Sequence, residues 1–395
     1  MVPIAWLVLL AACRGPAGTP GTDAPLQMPL RWVRGYDGDT WDRAAAGLTW
    51  AISDLGGSPT AAMIEAQDTG PDGALFTLDL GAAGFPEPAS AAVADALAPL
   101  READEVRVFG GMDVGRFLMK VLYEPWRYYA ITGACPTLSE WQEAHLGEAA
   151  LSYAVTQSLL VGGERLVTLQ PATGAVADVG LLAQDGSGSI EQGTFMPLEF
   201  DAVDVMPSLQ QRFAAYDAAG ALIPSADPAV SPAGQPGRCM WCHEMNLQRG
   251  LDTNPTVAPY LSAQEFLVQL DAMQASIDAS RAADPSAVDW TGYDVHQWGE
   301  LLAGTFLAPT PGRLAREWGV DEAEVSVWLS GLPTHQDAEF TGFGEEYTRA
   351  DVDDWYAENV EDFGPIPTLP SARDVPADAV LDDAGVLPTW GCSLW

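Results

Sequence analysis

The sequence predicts an α+β fold, with a mixed α/β half followed by a mainly helical half, and three observations lead to this prediction. The chain has 395 residues, 48% of them hydrophobic, which is enough for two globular domains. Up to residue 222 strand-like runs alternate with helical ones, whereas the later segments show helical spacing. A stretch rich in Pro, Gly and Ser at 223–237 separates the two patterns. We therefore predict an α+β domain over 36–222, a linker over 223–237, and a helical domain over 238–395 with an irregular C-terminal tail.

Local signals place the elements of the first half. Thr40 is a suitable N-cap for a helix that ends at Gly56 and Gly57. Pro125 interrupts an apolar, aromatic segment at 115–130. Ser139 is a candidate N-cap for a short helix after Cys135. The other predicted elements are a strand at 74–81, an alanine-rich helix at 87–105, a strand at 106–109, a hairpin with strands at 151–161 and 164–171 around Gly162-Gly163, and extended segments at 176–183 and 194–203.

The second half contains four predicted amphipathic helices. The first follows Ser262, a candidate N-cap, and its apolar side chains are spaced by three or four residues. The other three fall within 293–308, 321–332 and 348–360. No internal repeat links these segments, and the tail after Gly364 is rich in proline and acidic residues.

The charge balance limits the possible partners. There are 55 acidic and 18 basic residues, so the formal net charge is −37. Such a surface repels phosphate backbones, and nucleic acid is excluded as a partner class. A basic protein is the partner that this charge favours, although an acidic surface is also typical of a merely soluble protein.

The N-terminus, MVPIAWLVLLAAC, is an apolar run that ends in small residues and Cys13. It resembles the lipobox of bacterial lipoproteins. The resemblance implies a signal peptide over 1–13, a lipid on Cys13, and export to the cell envelope, facing the periplasm or the cell surface. Residues 14–35 would be a flexible tether. A buried N-terminal strand is the alternative interpretation.

Export bears on the other cysteines, because thiols outside the cytoplasm are usually bonded. Four remain after Cys13, and two of these lie in one short motif at 239–242. Cys135 and Cys392 are left as a hypothetical disulfide that would tie the tail to the first domain.

The short motif is the most specific signal in the chain. Cys239, Cys242 and His243 form a CxxCH sequence within PGRCMWCHEMN. Two thiols at this spacing can add to the vinyl groups of a haem as thioethers, and the following histidine can coordinate the iron. The motif resembles the haem-attachment site of c-type cytochromes. This implies one covalent haem c, with Cys239 and Cys242 as thioether ligands and His243 as the proximal iron ligand, in a cytochrome c-like helical domain.

Other interpretations of the motif stay open. Cys239 and Cys242 could form a disulfide or part of a metal clip, with His243 adjacent by chance. The sixth iron ligand is also open: His335 is the first candidate, Met273 the second and His296 the third, and the position could be vacant. Met273 lies in a helical apolar stripe, where methionine is more often a core residue.

These signals predict a lipid-anchored monohaem c-type cytochrome that transfers electrons in the bacterial envelope. It would be an electron carrier rather than a catalyst, with a redox protein as partner and the membrane contacted through the N-terminal lipid. The chain has no GxSxG, HExxH or Gly-rich phosphate-loop motif. The alternative is a non-redox envelope lipoprotein, and a third possibility is a haem enzyme or gas sensor with an open iron position.

Overall fold

The structure is a computed structural model that describes residues 26–157, 163–230, 234–243, 246–247, 254–292, 294–336 and 341–363. It contains both helices and sheets, which confirms the α+β class. The helices are α1 Trp41–Asp54, α2 Glu87–Arg101, α3 Asp104–Phe109, α4 Val114–Val121, α5 Pro125–Thr132, α6 Leu138–His145, α7 Pro236–His243, α8 Ala263–Ala282, α9 Val295–Leu307, α10 Pro311–Trp318, α11 Glu322–Trp328 and α12 Arg349–Phe363.

The first sheet has four strands in the order β2-β3-β1-β4. Its strands are β1 Gln27–Val33, β2 Ile64–Thr69, β3 Gly73–Asp79 and β4 Met112–Asp113. Strand β1 pairs antiparallel with β3 and parallel with β4, so it lies inside the sheet. The predicted tether over 14–35 therefore extends too far, because the apolar residues of 27–33 are buried in this sheet.

The second sheet is a six-stranded antiparallel meander in the order β10-β9-β8-β7-β6-β5. Its strands are β5 Leu151–Val155, β6 Arg165–Leu169, β7 Gly180–Ser187, β8 Met196–Val205, β9 Gln211–Asp217 and β10 Leu222–Ile223. The predicted pairing of β5 with β6 is confirmed, although residues 158–162 between them lie outside the described residues. A third, two-stranded sheet joins β11 Thr334–His335 to β12 Glu346–Tyr347.

Two of the three predicted N-caps are confirmed. Thr40 accepts a hydrogen bond from the Arg43 backbone, and Ser262 forms a capping box with Glu265. At α6 the predicted cap, Ser139, is wrong, because Thr137 has the extended backbone that an N-cap needs and forms a capping box with Glu140.

The predicted strand at 106–109 is also wrong. These residues belong to α3, which ends at Gly110 in the left-handed conformation with φ 78°. The β-branched valines favour a strand only weakly. Here Val106 packs into the core from a helix that continues the helical region of α2.

Side chains from both sides of the predicted linker share one core. The largest apolar cluster contains Leu30 and Phe76 of the first sheet together with Met240 of α7 and Leu302 of α9. A second cluster packs α8 on the six-stranded sheet. The region near residue 225 therefore does not separate two independent cores, because helices of the second half cover the sheets of the first.

Glycines allow α9 to approach the first half closely. A Cβ on Gly47 of α1 would lie 2.5 Å from the backbone N of Gly299 in α9. A Cβ on Gly115 of α4 would lie 2.3 Å from the carbonyl oxygen of Leu302. Helix α9 thus lies directly against the backbone of α1 at Gly47 and against that of α4 at Gly115, where the Phe306 side chain also packs.

Several of the few cations are inside the protein. Arg313 of α10 pairs with Asp113 at 2.9 Å, and Arg212 of β9 pairs with Asp204 at 2.9 Å. Lys120, the single lysine, is 8% exposed on α4. Buried ions of this kind must be paired, so these contacts fix how the elements meet.

We expect Gly47→Ala to lower the free energy of unfolding by about 1–3 kcal/mol, because its new methyl group overlaps the backbone of α9. Gly304→Ala in α9 is the matched control, since a Cβ there meets nothing within 4 Å. Alanine at this position should raise stability by about 0.5–1 kcal/mol. Urea unfolding measures both effects, and equal changes would contradict the close crossing.

Candidate functional site

Helix α7, called the motif helix from here on, carries the CxxCH sequence. Its first turn packs directly on Tyr123, since a Cβ on Gly237 would lie 2.2 Å from the Tyr123 ring. The Trp241 indole donates a hydrogen bond to the Tyr123 hydroxyl at 3.0 Å. Met240 is 7% exposed and belongs to the main core. These contacts attach the motif helix to the first half of the chain.

The residues of the motif share one side of the motif helix. Cys239 and His243 are four positions apart, and Cys242 follows Cys239 by three, which places all three positions on one face. Cys239 and His243 both interact electrostatically with Arg165 of β6. Cys239 is a half-buried thiol, while the side chain of Cys242 lies outside the described residues.

His243 is held in its neutral form. Burial, with a smaller contribution from the Arg165 charge, lowers its pKa to about 4. Its ring centroid is 5.2 Å from that of Phe213. Its Nδ1 is buried and has no hydrogen-bond partner among the described residues. A neutral imidazole with an uncommitted nitrogen is the form that coordinates a metal.

Next to the motif helix lies a group of charged side chains that we call the acid–arginine cluster: Arg165, Asp185, Glu199 and Asp201. Arg165 donates from Nη2 to Asp185 at 2.6 Å and lies 3.5 Å from Asp201. Asp185 is 1% and Glu199 2% exposed. This cluster was not predicted from the sequence. One signal for it was present in the sequence. Glu199 and Asp201 are two positions apart in the predicted strand at 194–203, and this spacing places both side chains on one face of the strand.

The three candidates for a sixth iron ligand lie in different surroundings. His335 is exposed on β11. Met273 is fully buried in the apolar cluster beneath α8, with Tyr153 and Phe266. His296 is 2% exposed and lines a small cavity together with Met240 of the motif helix. No interaction joins His335 or Met273 to His243 in the described ranges, and the sixth ligand stays a prediction.

That cavity has a volume of about 10 Å³, which is enough for one water molecule. Asp54 and Gln211 line it as well. Burial raises the pKa of Asp54 to about 8, and Gln211 is 3% exposed. The cavity is lined by both polar and apolar side chains and is far too small for a porphyrin.

Cys135 is fully buried and disulfide-bonded. Its predicted partner, Cys392, lies outside the described residues, so their pairing stays a prediction. Cys13 also lies outside them, and the lipid anchor is likewise a prediction. In the described ranges no helix is long and apolar enough to cross a bilayer, and no three His, Cys, Asp or Glu side chains are grouped to hold a metal ion.

The pKa of His243 predicts a pH dependence of stability in the haem-free protein. An unfolded histidine takes up a proton near pH 6.5, whereas the folded one does so near pH 4. Protonation of His243 therefore does not lower the free energy of unfolding above pH 6.5. As the pH falls from 6.5 toward 4, the free energy of unfolding decreases by about 3 kcal/mol in total, because the unfolded chain binds the proton first.

His243→Gln should remove this part of the pH slope, and His335→Gln, at an exposed position, should keep it. Urea unfolding between pH 4 and pH 7 measures the slope. An unchanged slope in His243→Gln would show that the imidazole is not held neutral.

For the disulfide, we expect a non-reducing digest to yield a peptide that joins Cys135 to Cys392. Mass spectrometry identifies the pair. A peptide joining Cys135 to Cys242 would overturn this pairing, and it would also remove one thioether sulfur from the haem assignment.

Comparison with protein-family models, with curated proteins and with solved structures gave no match. The function is therefore inferred from the residues of the motif helix and their surroundings.

Proposed function

We propose that this protein binds one haem c covalently at Cys239 and Cys242, with His243 as an iron ligand, and transfers electrons in the bacterial envelope. The observation that carries the proposal is the CxxCH sequence on a single helix whose Cys239 and His243 face the same way. A haem supplies a one-electron redox centre when bound.

The donor set fits this group. Cys239 is a thiol, as thioether formation requires, and His243 is neutral with an uncommitted Nδ1. Iron in a porphyrin needs only one or two protein ligands, so a cluster of three ligating side chains is not required. The side of the motif helix that Cys239 and His243 share is where the haem would bind, because the cavity beside Met240 is too small for it.

The chain's own residues would tune the site through burial and charge. Phe213 packs against His243 and limits the movement of its ring. Arg165 places a positive charge near both Cys239 and His243, which favours the reduced, more negative state of a bound haem.

The proposed haem site need not belong to a separate cytochrome c-like helical domain. The motif helix contacts β9 and α5, which are elements of the first half. We therefore propose that the haem binds over one face of the six-stranded sheet, and α8 to α12 are supporting helices in this proposal.

The anchor and the partner complete the proposal. A lipid on Cys13 would hold the protein at the membrane. The net charge of −37 would favour a basic redox protein as the electron donor or acceptor. Trp241, 41% exposed beside Cys242, is an aromatic side chain at the surface of the site.

We expect the full chain, expressed with a cytochrome c maturation system, to give a pyridine haemochrome band that survives acid–acetone extraction. Cys239→Ala with Cys242→Ala should lose the band, because no thioether can form. Trp241→Phe is the matched control, since it alters the same helix and leaves the CxxCH residues in place.

Folded protein without a band would refute the proposal and favour a non-redox envelope lipoprotein, with Cys239 and Cys242 as a disulfide or metal clip. Carbon monoxide binding to the reduced protein would show an open sixth position and favour a haem enzyme or gas sensor.

A further inference from the structure

The acid–arginine cluster lies on one face of the six-stranded sheet. Arg165 of β6 is opposite Asp185 of β7, and Asp185 is opposite Glu199 of β8. Asp201 follows Glu199 by two residues and therefore points to the same face. The register alone brings three carboxyl groups to one guanidinium.

The cluster has more acidic groups than its surroundings can neutralise. Arg165 holds Asp185 with two hydrogen bonds and lies 3.5 Å from Asp201. Glu199 accepts one hydrogen bond, from the Asp227 backbone at 2.7 Å, and its buried Oε1 has no partner among the described residues. Three carboxylates with a single buried cation are unfavourable unless a proton or another positive group joins them.

A proton shared by two carboxyl groups accounts for the arrangement. Arg165 contacts both Asp185 and Asp201, and two carboxyl groups held this close to one guanidinium, with Glu199 beside them, are more stable when one of them is protonated. Burial, followed by the Asp185 charge, raises the pKa of Asp201 to about 7. The proton is therefore exchanged in the neutral range.

Arg165 links this pair to the motif helix. Its guanidinium contacts both carboxyl groups and also interacts electrostatically with Cys239 and His243. The other charged groups near the pair, among the described residues, are Glu199 of β8, Asp217 opposite it on β9, and Asp227. A negative charge added at the motif helix would weaken the hold of Arg165 on the pair, and the pair would then bind a proton more readily.

We infer that Asp185 and Asp201 form a proton-binding site coupled through Arg165 to the redox centre at the motif helix. The inference rests on the proposed function. When a bound haem gains one electron from a one-electron donor such as a reduced redox protein, a hydronium ion of the solvent would give one proton to an Asp201 carboxylate oxygen and become water, and Asp185 would share that proton. The net charge of the redox centre and the carboxyl pair together does not change, because one electron and one proton are taken up together.

The first test is the protonated carboxyl group itself, which needs no haem. Infrared difference spectra between pH 6 and pH 8 should show a carboxylic acid carbonyl band that disappears as the pH rises. Asp201→Asn should reduce the band to the part that Asp54 contributes, because burial also raises the pKa of Asp54 to about 8, and Glu191→Gln, at an exposed acid, should keep the band in full. A wild-type protein without the band, or a folded Asp201→Asn variant that keeps all of it, would overturn the inference.

The second test is the pH dependence of the reduction potential of the haem-loaded chain, with circular dichroism to show that each variant is folded. The potential should fall as the pH rises from 6 to 8, approaching a tenfold change in the equilibrium constant per pH unit, which is 59 mV for one electron. Asp201→Asn should flatten this slope, and Glu191→Gln should not.

The outcomes separate the two claims. A haem band with a flat potential in the wild-type protein would overturn the coupling and leave the proposed function standing. A missing haem band would overturn the proposed function and the coupling together, while the part of the infrared band that is lost in Asp201→Asn would still identify the proton site.

Discussion

The antiparallel register of β7, β8 and β9 decides which charged side chains can meet, and the rest of the molecule depends on it. Alternate residues of these strands point to opposite faces. On one face Asp204 pairs with Arg212 and accepts a hydrogen bond from Trp141 at 2.8 Å, within the main core. On the other face lie the acid–arginine cluster, the motif helix and α8. A shift of one residue would exchange these two environments.

The helices of the second half depend on that sheet and on the glycine crossings. Because α9 lies against the backbones of α1 and α4, the second half cannot separate from the first without opening the main core. The motif helix shares this attachment through Gly237 and Met240. A redox centre held in this way would have a fixed dielectric environment, and burial rather than loop movement would set its potential.

The sequence predicted those features that local chemistry determines. Pro125 separates α4 from α5, and Ser262 caps α8, because proline and capping side chains act on adjacent backbone groups. Strand β9 was missed because six of its seven residues are buried, so the period-two alternation is absent. The acid–arginine cluster could be suspected only from Glu199 and Asp201, since its partners come from other strands. The shared core was not predicted, because contacts between distant segments leave no periodic pattern.

The position of Lys120 has a practical consequence for chemistry on this protein. Reagents that acylate amines find one lysine in the whole chain, and the fold keeps it 8% exposed on α4. Such reagents therefore leave the interior of the native protein unmodified. Acylation of Lys120 becomes possible once α4 leaves its neighbours, so the mass of one peptide records the opening of the main core.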